Sequence, residues 1–438
     1  MTSGMASVAL ALYRWASVAI YPLTGPFLAI RAAKGKEDRA RRTERHGYAS
    51  LPRPVGPLAW IHAASVGETL AVIPLLRELR RRDINVLLTT GTVTSAEIAR
   101  TRLSEDILHQ YVPLDVKPAV KRFIKYWKPD VAISVESEIW PVTTLELHRR
   151  HIPQIIVNAR ISDRSFDRWR NHAGIAEALF GKLGLVIAQS DLDAERFRDL
   201  GAWPVTVTGN IKVDTDAPAC DPALVERYRQ QIGRRKTWAA VSTFEGEERV
   251  AMMVHRALKA HTGLLTIIVP RHPERGDDIE KMLLEKGMKV ARRSRNDVVT
   301  EDTDILLGDS IGEMGLYLRL TEVAFIGRSL MAEGGQNPLE AAMLGTAVLS
   351  GPHVENFRDS YQKLVKSGAA RIIRDPEMLA KAVHFLNTND LARHKMVDAG
   401  TECLQEMRGA LAATIKGLEP YLNPLTVKAR LEPKAVSR

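Results

Sequence analysis

A chain of 438 residues, 45% hydrophobic and 26% charged, is long enough for two or three domains with sizeable cores, and its composition is that of an ordinary globular protein rather than a disordered or fibrous one. The formal net charge of +10 favours anionic partners, whether nucleic acid, phosphorylated small molecules or acidic lipid, without choosing among them. The cysteines, Cys220 and Cys403, lie far apart and outside any C-x-x-C pattern, so neither a disulfide framework nor a thiolate metal site is expected and a reducing cytosolic setting fits.

Residues 8–30 are mostly apolar but are interrupted by Arg14, Pro22, Gly25 and Pro26. A spanning helix needs about 20 apolar residues with few charges, so attachment to a membrane surface is expected rather than a crossing. No small-residue cleavage site follows a compact apolar core, which argues against a removed signal peptide. Arg31, Lys34, Lys36, Arg39, Arg41, Arg42 and Arg45 come next, against only Glu37, Asp38 and Glu44. An apolar segment backed by a polybasic one holds a protein at an anionic leaflet. The alternative is a core-packing helix with a solvated charged face. Pro52, Pro54, Gly56 and Pro57 are then expected to form a stiff linker to the first globular domain.

Residues 58–61 read as a buried strand, and residues 69–82 place Leu70, Ile73, Leu76 and Leu79 at helical spacing. In the run Ser65-Val66-Gly67-Glu68, Glu68 therefore falls in the first helical turn after a strand end, where the crevice of an open α/β sheet lies. It is either a catalytic carboxylate or a complement to the helix dipole. Runs at 84–90, 95–103, 116–127, 130–135, 154–158 and 185–188 alternate strand and helix, the pattern of βαβ units around a parallel sheet. Two strand ends carry polar residues, Glu136-Ser137-Glu138 and Asn158-Ala159-Arg160. Glu136 and Glu138 alternate along an extended chain, so at most one is expected beside Glu68, and either can instead bond exposed backbone groups. Asp191-Leu192-Asp193 and Asp214-Thr215-Asp216 have the D-x-D spacing that holds a metal in some nucleotide-sugar enzymes. Ser190 with Asp193 reads instead as a helix cap, so no metal is expected there.

Residues 206–212 close the first half, and residues 216–222 read as a linker. A second alternating series at 237–241, 250–260, 264–269, 279–286, 304–307, 323–326 and 347–349 predicts a second doubly wound domain, with a cleft between the two. The run Gly334-Gly335-Gln336-Asn337-Pro338-Leu339-Glu340 combines flexible backbone donors, a proline at the first helical position and a helix onward through Met343. A phosphate above that helix start would meet unpaired N–H groups, with Glu340 one turn along to accept ribose hydroxyls. Taken alone, the run is also a common turn into a helix. Pro270-Arg271-His272-Pro273-Glu274-Arg275 lies beyond an apolar strand and brings two arginines suited to phosphate or carboxylate. Gly312-Glu313-Met314-Gly315 and residues 242–248 open two more helices. No P-loop, H-E-x-x-H or G-x-S-x-G motif accompanies them.

Taken in order, Leu12-Tyr13-Arg14, SVGE at 65–68, ESEIWP at 136–141, NARIS at 158–162, GNIK at 209–212, PRHPER at 270–275, GEM at 312–314 and GGQNPLEAA at 334–342 resemble one family over essentially the whole chain. That family is the bacterial 3-deoxy-D-manno-octulosonic acid (Kdo) transferases of lipopolysaccharide synthesis. The resemblance implies an α/β fold of GT-B type, with two Rossmann-like domains facing a central cleft behind an N-terminal membrane-associated segment. Residues 1–50 would be that segment with its basic linker, 51–213 the acceptor domain with the catalytic base, 214–420 the nucleotide-sugar domain and 421–438 a tail. It also implies CMP-Kdo as donor, a lipid A precursor (lipid IVA) as acceptor and inverting transfer at the cytoplasmic face of the inner membrane. No metal, cofactor, nucleic acid or obligate protein partner is expected.

By matching position, the resemblance implies that Glu68 is the general base and that Glu136 and Lys212 support the transition state, Lys212 also meeting the departing phosphate. Pro270, Arg271, Gly312, Glu313, Met314, Asn337, Pro338, Leu339 and Glu340 would form the CMP site. Phe244 and Gln336 stand where the family commonly has histidine, and Arg328 stands where a second glycine follows Gly327. Gln336 can still donate a hydrogen bond but cannot titrate near neutrality, and Phe244 has no polar capacity. UDP-sugar-dependent lipid transferases and sugar epimerases share the two-domain pattern, since fold does not fix function. A basic nucleic-acid binder fits the charge but lacks an aromatic stacking series, with aromatics at 6%.

Overall fold

The structure, a computed structural model, describes residues 3–431. In the first half, short runs rich in Val, Ile, Leu and Ala form β1 (Leu58–Ala63), β2 (Asn85–Thr90), β3 (Ile107–Tyr111), β4 (Val131–Val135), β5 (Gln154–Ala159), β6 (Leu185–Ala188) and β7 (Val205–Val207). They pair in parallel in the order β3-β2-β1-β4-β5-β6-β7. Every residue of β1, β4, β5 and β6 is buried, as continuous apolar runs must be in a sheet covered by helices on both faces. The direction of winding reverses between β1 and β4, and ligands of such sheets bind beyond the carboxyl ends beside that reversal.

The second half repeats the plan with β8 (Thr237–Thr243), β9 (Leu265–Pro270), β10 (Val290–Arg292), β11 (Ile305–Leu307), β12 (Val323–Ile326), β13 (Ala347–Ser350) and β14 (Ala370–Ile372). This sheet is also parallel, ordered β10-β11-β9-β8-β12-β13-β14, with its reversal between β8 and β12.

The chain divides into two units, one running to Thr215 and resuming at Arg408, the other Asp216–Met407. The expected extent of the second domain to residue 420 is thereby corrected. Helix Ala410–Leu431 buries Leu418 and Leu422 in the same core as Ile61 and Ile133. The Tyr421 hydroxyl donates to the Gly184 carbonyl at 2.6 Å, and Lys428 pairs with Asp130 at 2.9 Å. Asp214 caps the start of this helix by accepting the N–H groups of Gly409 (2.9 Å) and Leu411 (2.6 Å). Of the expected tail, residues 432–438 lie outside the described residues.

At the N-terminus, α1 (Ser3–Ile20) and α2 (Thr24–Ala33) form a segment that is long and apolar enough, over Val8–Ala33, to cross a membrane by length and composition. One face is nevertheless built into the first unit. Leu10 joins the cluster of Phe180 and Val186, and Arg14 pairs with the fully buried Glu146 at 3.1 Å. The opposite face leaves Leu12, Trp15, Leu23, Phe27 and Ile30 each more than half exposed.

The expected basic linker is not a detached segment. Arg31 and Arg45 both bind Glu37, at 2.8 and 3.0 Å, and Arg41 binds Glu44 at 2.8 Å. Glu44 and Arg45 are buried, with the Glu44 carboxylate accepting the Tyr111 N–H at 2.6 Å. Lys34, Lys36, Arg39 and Arg42 are the exposed cations of the run. The Pro/Gly stretch behind it is held too, since Arg53 donates to the Trp127 carbonyl at 2.7 Å.

Candidate active site

Glu68 lies in the first turn of α3 (Val66–Arg81), directly beyond β1. Ser65 is the N-cap: its side-chain oxygen accepts the Glu68 N–H at 3.3 Å, and its hydroxyl donates to Glu68 Oε1 at 2.6 Å. The Ala64 N–H donates to Oε2 at 2.8 Å. This is a variant of the capping box, with the return bond from the residue before the cap, so the carboxylate does complete the helix start, and the same bonds fix its orientation. Glu68 is only 8% exposed. Burial first, and then the negative charge of Glu136, raise its pKa to about 7 against the opposing bonds from Ser65 and Ala64. A carboxylate poised near neutrality is the base that proton abstraction from a hydroxyl calls for.

Glu136 follows β4, the strand next to β1 across the reversal. Its carboxylate binds Lys212 Nζ at 2.5 Å and Arg160 Nε at 3.0 Å. Burial opposes its ionisation, but the two cations outweigh burial and hold its pKa down to about 2. The NARIS and GNIK stretches meet to build this arrangement. Asn158, fully buried with a left-handed φ of 52°, accepts the Ile211 N–H on Oδ1 at 3.0 Å, and Asn210 Oδ1 accepts the Lys212 N–H at 3.0 Å. Lys212 is thereby bound to a carboxylate in the first unit.

The expectation of a single carboxylate beside Glu68 is also corrected. A left-handed φ of 61° at Glu136 breaks the alternation of an extended chain, and the charges of both Glu136 and Glu138 raise the Glu68 pKa. Glu138 accepts the Trp140 indole N–H at 2.7 Å and lies 3.9 Å from His62 Nε2. His62 has no role in the sequence reading, although a histidine inside an apolar strand was the available signal. Its Nδ1 lies 3.1 Å from both the carbonyl and the hydroxyl oxygen of Thr89. Burial, partly offset by the bond to the Thr89 backbone and reinforced by Arg45, lowers its pKa to about 4.

Both D-x-D stretches serve as caps. Asp193 accepts the Ser190 hydroxyl at 2.6 Å and the Ile161 N–H at 2.9 Å, and Asp214 caps the helix that begins at Ala410. Among the described residues, no three His, Cys, Asp or Glu side chains gather as a metal-binding set.

In the second unit, the remaining candidates lie at or beyond the carboxyl ends of three strands of the sheet, β11, β9 and β12. Gly312, Glu313 and Met314 follow β11, and Glu313 is bound by Arg293 at 2.6 Å and by the Ser310 hydroxyl. Pro270 ends β9, and the exposed Arg271 comes next, anchored by its N–H to the Thr243 carbonyl at 3.0 Å. Asn337 through Glu340 come after β12. Asn337 accepts the Leu339 N–H at 3.2 Å and donates to Glu340 at 3.3 Å, while Leu339 is fully buried.

Two expectations change in this unit, and one residue is added. Pro338 is the N-cap rather than the first helical residue, and the helix, Leu339–Met343, is five residues long. The N–H groups of Gly334 and Gly335 are already bonded, to Glu355 at 3.1 Å and to the Arg328 carbonyl at 2.7 Å. Glu247, for which the sequence suggests no individual task, organises the reversal. It is 1% exposed and accepts the N–H groups of Phe244, Arg328, Ser329 and Leu330 at 2.7–3.1 Å.

A family profile described as 3-deoxy-D-manno-octulosonic-acid transferase (kdotransferase) matches residues 40–215. A 3-deoxy-D-manno-octulosonic acid transferase from Haemophilus influenzae is 35% identical over 412 residues, covering 92% of this chain and 96% of its own. One from Bordetella pertussis is 33% identical over 390 residues, covering 85% and 90%. Among solved structures, an Anabaena HepE protein in complex with UDP is 11% identical with a TM-score of 0.58 over 83% of this chain and 100% of its own. A glycosyltransferase from Rickettsia africae is 13% identical with a TM-score of 0.58, covering 84% and 97%. These two share the GT-B fold with this chain, and at such identities the likeness is one of fold alone.

Proposed function

The chain belongs to the family of 3-deoxy-D-manno-octulosonic acid (Kdo) transferases, and from that premise we propose that it moves Kdo from CMP-Kdo to a hydroxyl of a lipid A precursor, with inversion, at the cytoplasmic face of the inner membrane. The observation that carries the chemistry is a buried Glu68 lifted toward neutrality beside a Glu136 that stays ionised. The acceptor oxygen attacks the anomeric carbon of Kdo as Glu68 takes its proton. The bond from that carbon to the phosphate oxygen breaks, and CMP leaves with the electron pair. Lys212 and Arg160 act through Glu136: by keeping it charged they raise the basicity of Glu68, and the fixed negative charge favours an oxocarbenium-like transition state.

In this reading Pro270, Arg271, Gly312, Glu313, Met314 and Asn337 through Glu340 hold CMP. Transfer needs no metal or cofactor, which the engagement of Asp193 and Asp214 as caps supports. The exposed apolar face of α1 and α2, with Lys34, Lys36, Arg39 and Arg42, supports attachment to an anionic leaflet. The reading includes no nucleic acid and no obligate protein partner, and the UDP-bound fold neighbour gives no ground for a UDP-sugar donor. Incubation with a lipid A precursor and a CMP-Kdo generating system, followed by mass analysis, tests it. A mass gain of one or more Kdo residues is expected, and an unchanged precursor refutes the reading.

A further inference from the structure

Of the N–H groups expected to receive phosphate around residues 334–337, those of Gly334 and Gly335 already donate within the unit, and the helix behind them is only five residues long. An anion at this edge of the second sheet therefore calls for a cation, and Arg328 stands there. It follows β12 at the reversal, with its N–H held by Glu247 at 2.7 Å. Its φ is 56°, the left-handed region in which a side chain strains the backbone and glycine does not. The side chain is nonetheless fixed. Its guanidinium carbon lies 5.1 Å from the centroid of the Phe244 ring, and Nε donates to the Glu333 carbonyl at 2.9 Å.

His272, beside Arg271, packs edge-on against the same ring, with centroids 5.5 Å apart and planes at 82°. A Cβ at Gly334 would lie 3.4 Å from Arg328 Nε, so the glycine loop lies directly against the guanidinium. The two terminal nitrogens of Arg328 make no hydrogen bond among the described residues. A strained backbone, a cation–π stack and a fixed Nε together present two N–H donors in a fixed plane, the geometry that grips phosphate in bidentate fashion. Strain retained where nothing in the turn requires a side chain points to function.

We propose that Arg328, stacked on Phe244 beside Arg271 and the loop at Gly334, is the cation that binds the phosphate of the donor nucleotide. This rests on the reading of the second unit as the CMP-sugar site. The test is calorimetric binding of CMP and of cytidine, which lacks the phosphate, to the full chain and to Arg328→Gly and Arg328→Asn, two residues that tolerate the left-handed region. Loss of a charged hydrogen-bonding group should weaken CMP about 10-fold or more and leave cytidine unchanged. The thermal midpoint should be unchanged or higher in the glycine variant, whose backbone is relieved. A CMP-to-cytidine affinity ratio equal to wild type in both folded variants overturns the assignment. A wild-type chain that binds neither compound overturns the donor reading itself, and this assignment with it.

Discussion

Glu68 performs two tasks with one set of atoms. The bonds from Ser65 and Ala64 that complete the helix start also hold the carboxylate in place, so its part in the helix start and the proposed role as base are compatible. Transfer requires the ionised form, so turnover should rise with pH through about 7. Ser65→Ala removes a bond that lowers the Glu68 pKa, so the rising limb should move to higher pH, with a loss of about 1 kcal/mol of stability from the missing cap. Glu136→Gln removes the neighbouring charge and should move the limb to lower pH while weakening the fold through the stranded Lys212 and Arg160. Limbs that stay together in pH–rate profiles of the two variants would exclude Glu68 as the titrating group. Stability carries the same signature. Because the folded pKa lies above the ordinary 4.5, the folded state binds the proton more tightly, and this group's contribution is lost as pH rises from about 4.5 through about 7. Glu68→Gln, which can keep the capping box, should therefore gain stability relative to wild type across that window in denaturant titrations.

At the level of elements, the strands legible from residue pattern were the interior ones, and the strands missed were β3, β7, β10 and β14, the outer strands of the two sheets. An interior strand is a continuous apolar run because both faces and both edges are covered. Outer strands such as β7 and β14 are three residues long and partly open to solvent, so they leave no periodic signal. The site was legible in part for a related reason. Glu68 and Glu136 sit at ends of strands that the pattern located, whereas Lys212 follows the short β7, and the ties made by Asn158 and Glu247 depend on chain segments far apart in sequence. The N-terminal helices show the same limit: composition revealed an apolar segment but not that Arg14 and Leu10 anchor one face of it. Trp15→Glu with Phe27→Glu changes only the exposed face, so it should sharply reduce sedimentation with anionic vesicles while leaving thermal unfolding unchanged. Residual binding should weaken with salt, as screening of Lys34, Lys36, Arg39 and Arg42 requires. Undiminished sedimentation would contradict surface attachment through this face. Deleting residues 1–45 is not an equivalent test, because it removes the buried Glu44 and Arg45.

Across the whole molecule, the chain leaves its first unit at Thr215 and returns to it at Arg408. Leu418 and Leu422, both fully buried, make the last helix part of the first core despite its distance in sequence. Truncation after Met407 should therefore unfold or aggregate the first unit while protease-resistant fragments of the second persist, and a truncated chain with an intact first unit would contradict this. The same organisation lets the two halves of the function be tested apart, with the proposed base in one unit and the proposed donor residues in the other. The most direct measurement is Kdo transfer by Glu68→Gln, followed by mass analysis of the lipid A precursor, with CMP binding measured on the same preparation. Wild-type CMP binding and a loss of transfer of about 100-fold or more, the scale of general-base catalysis, are expected. A variant that binds CMP and still transfers Kdo at near the wild-type rate would rule out Glu68 as the base.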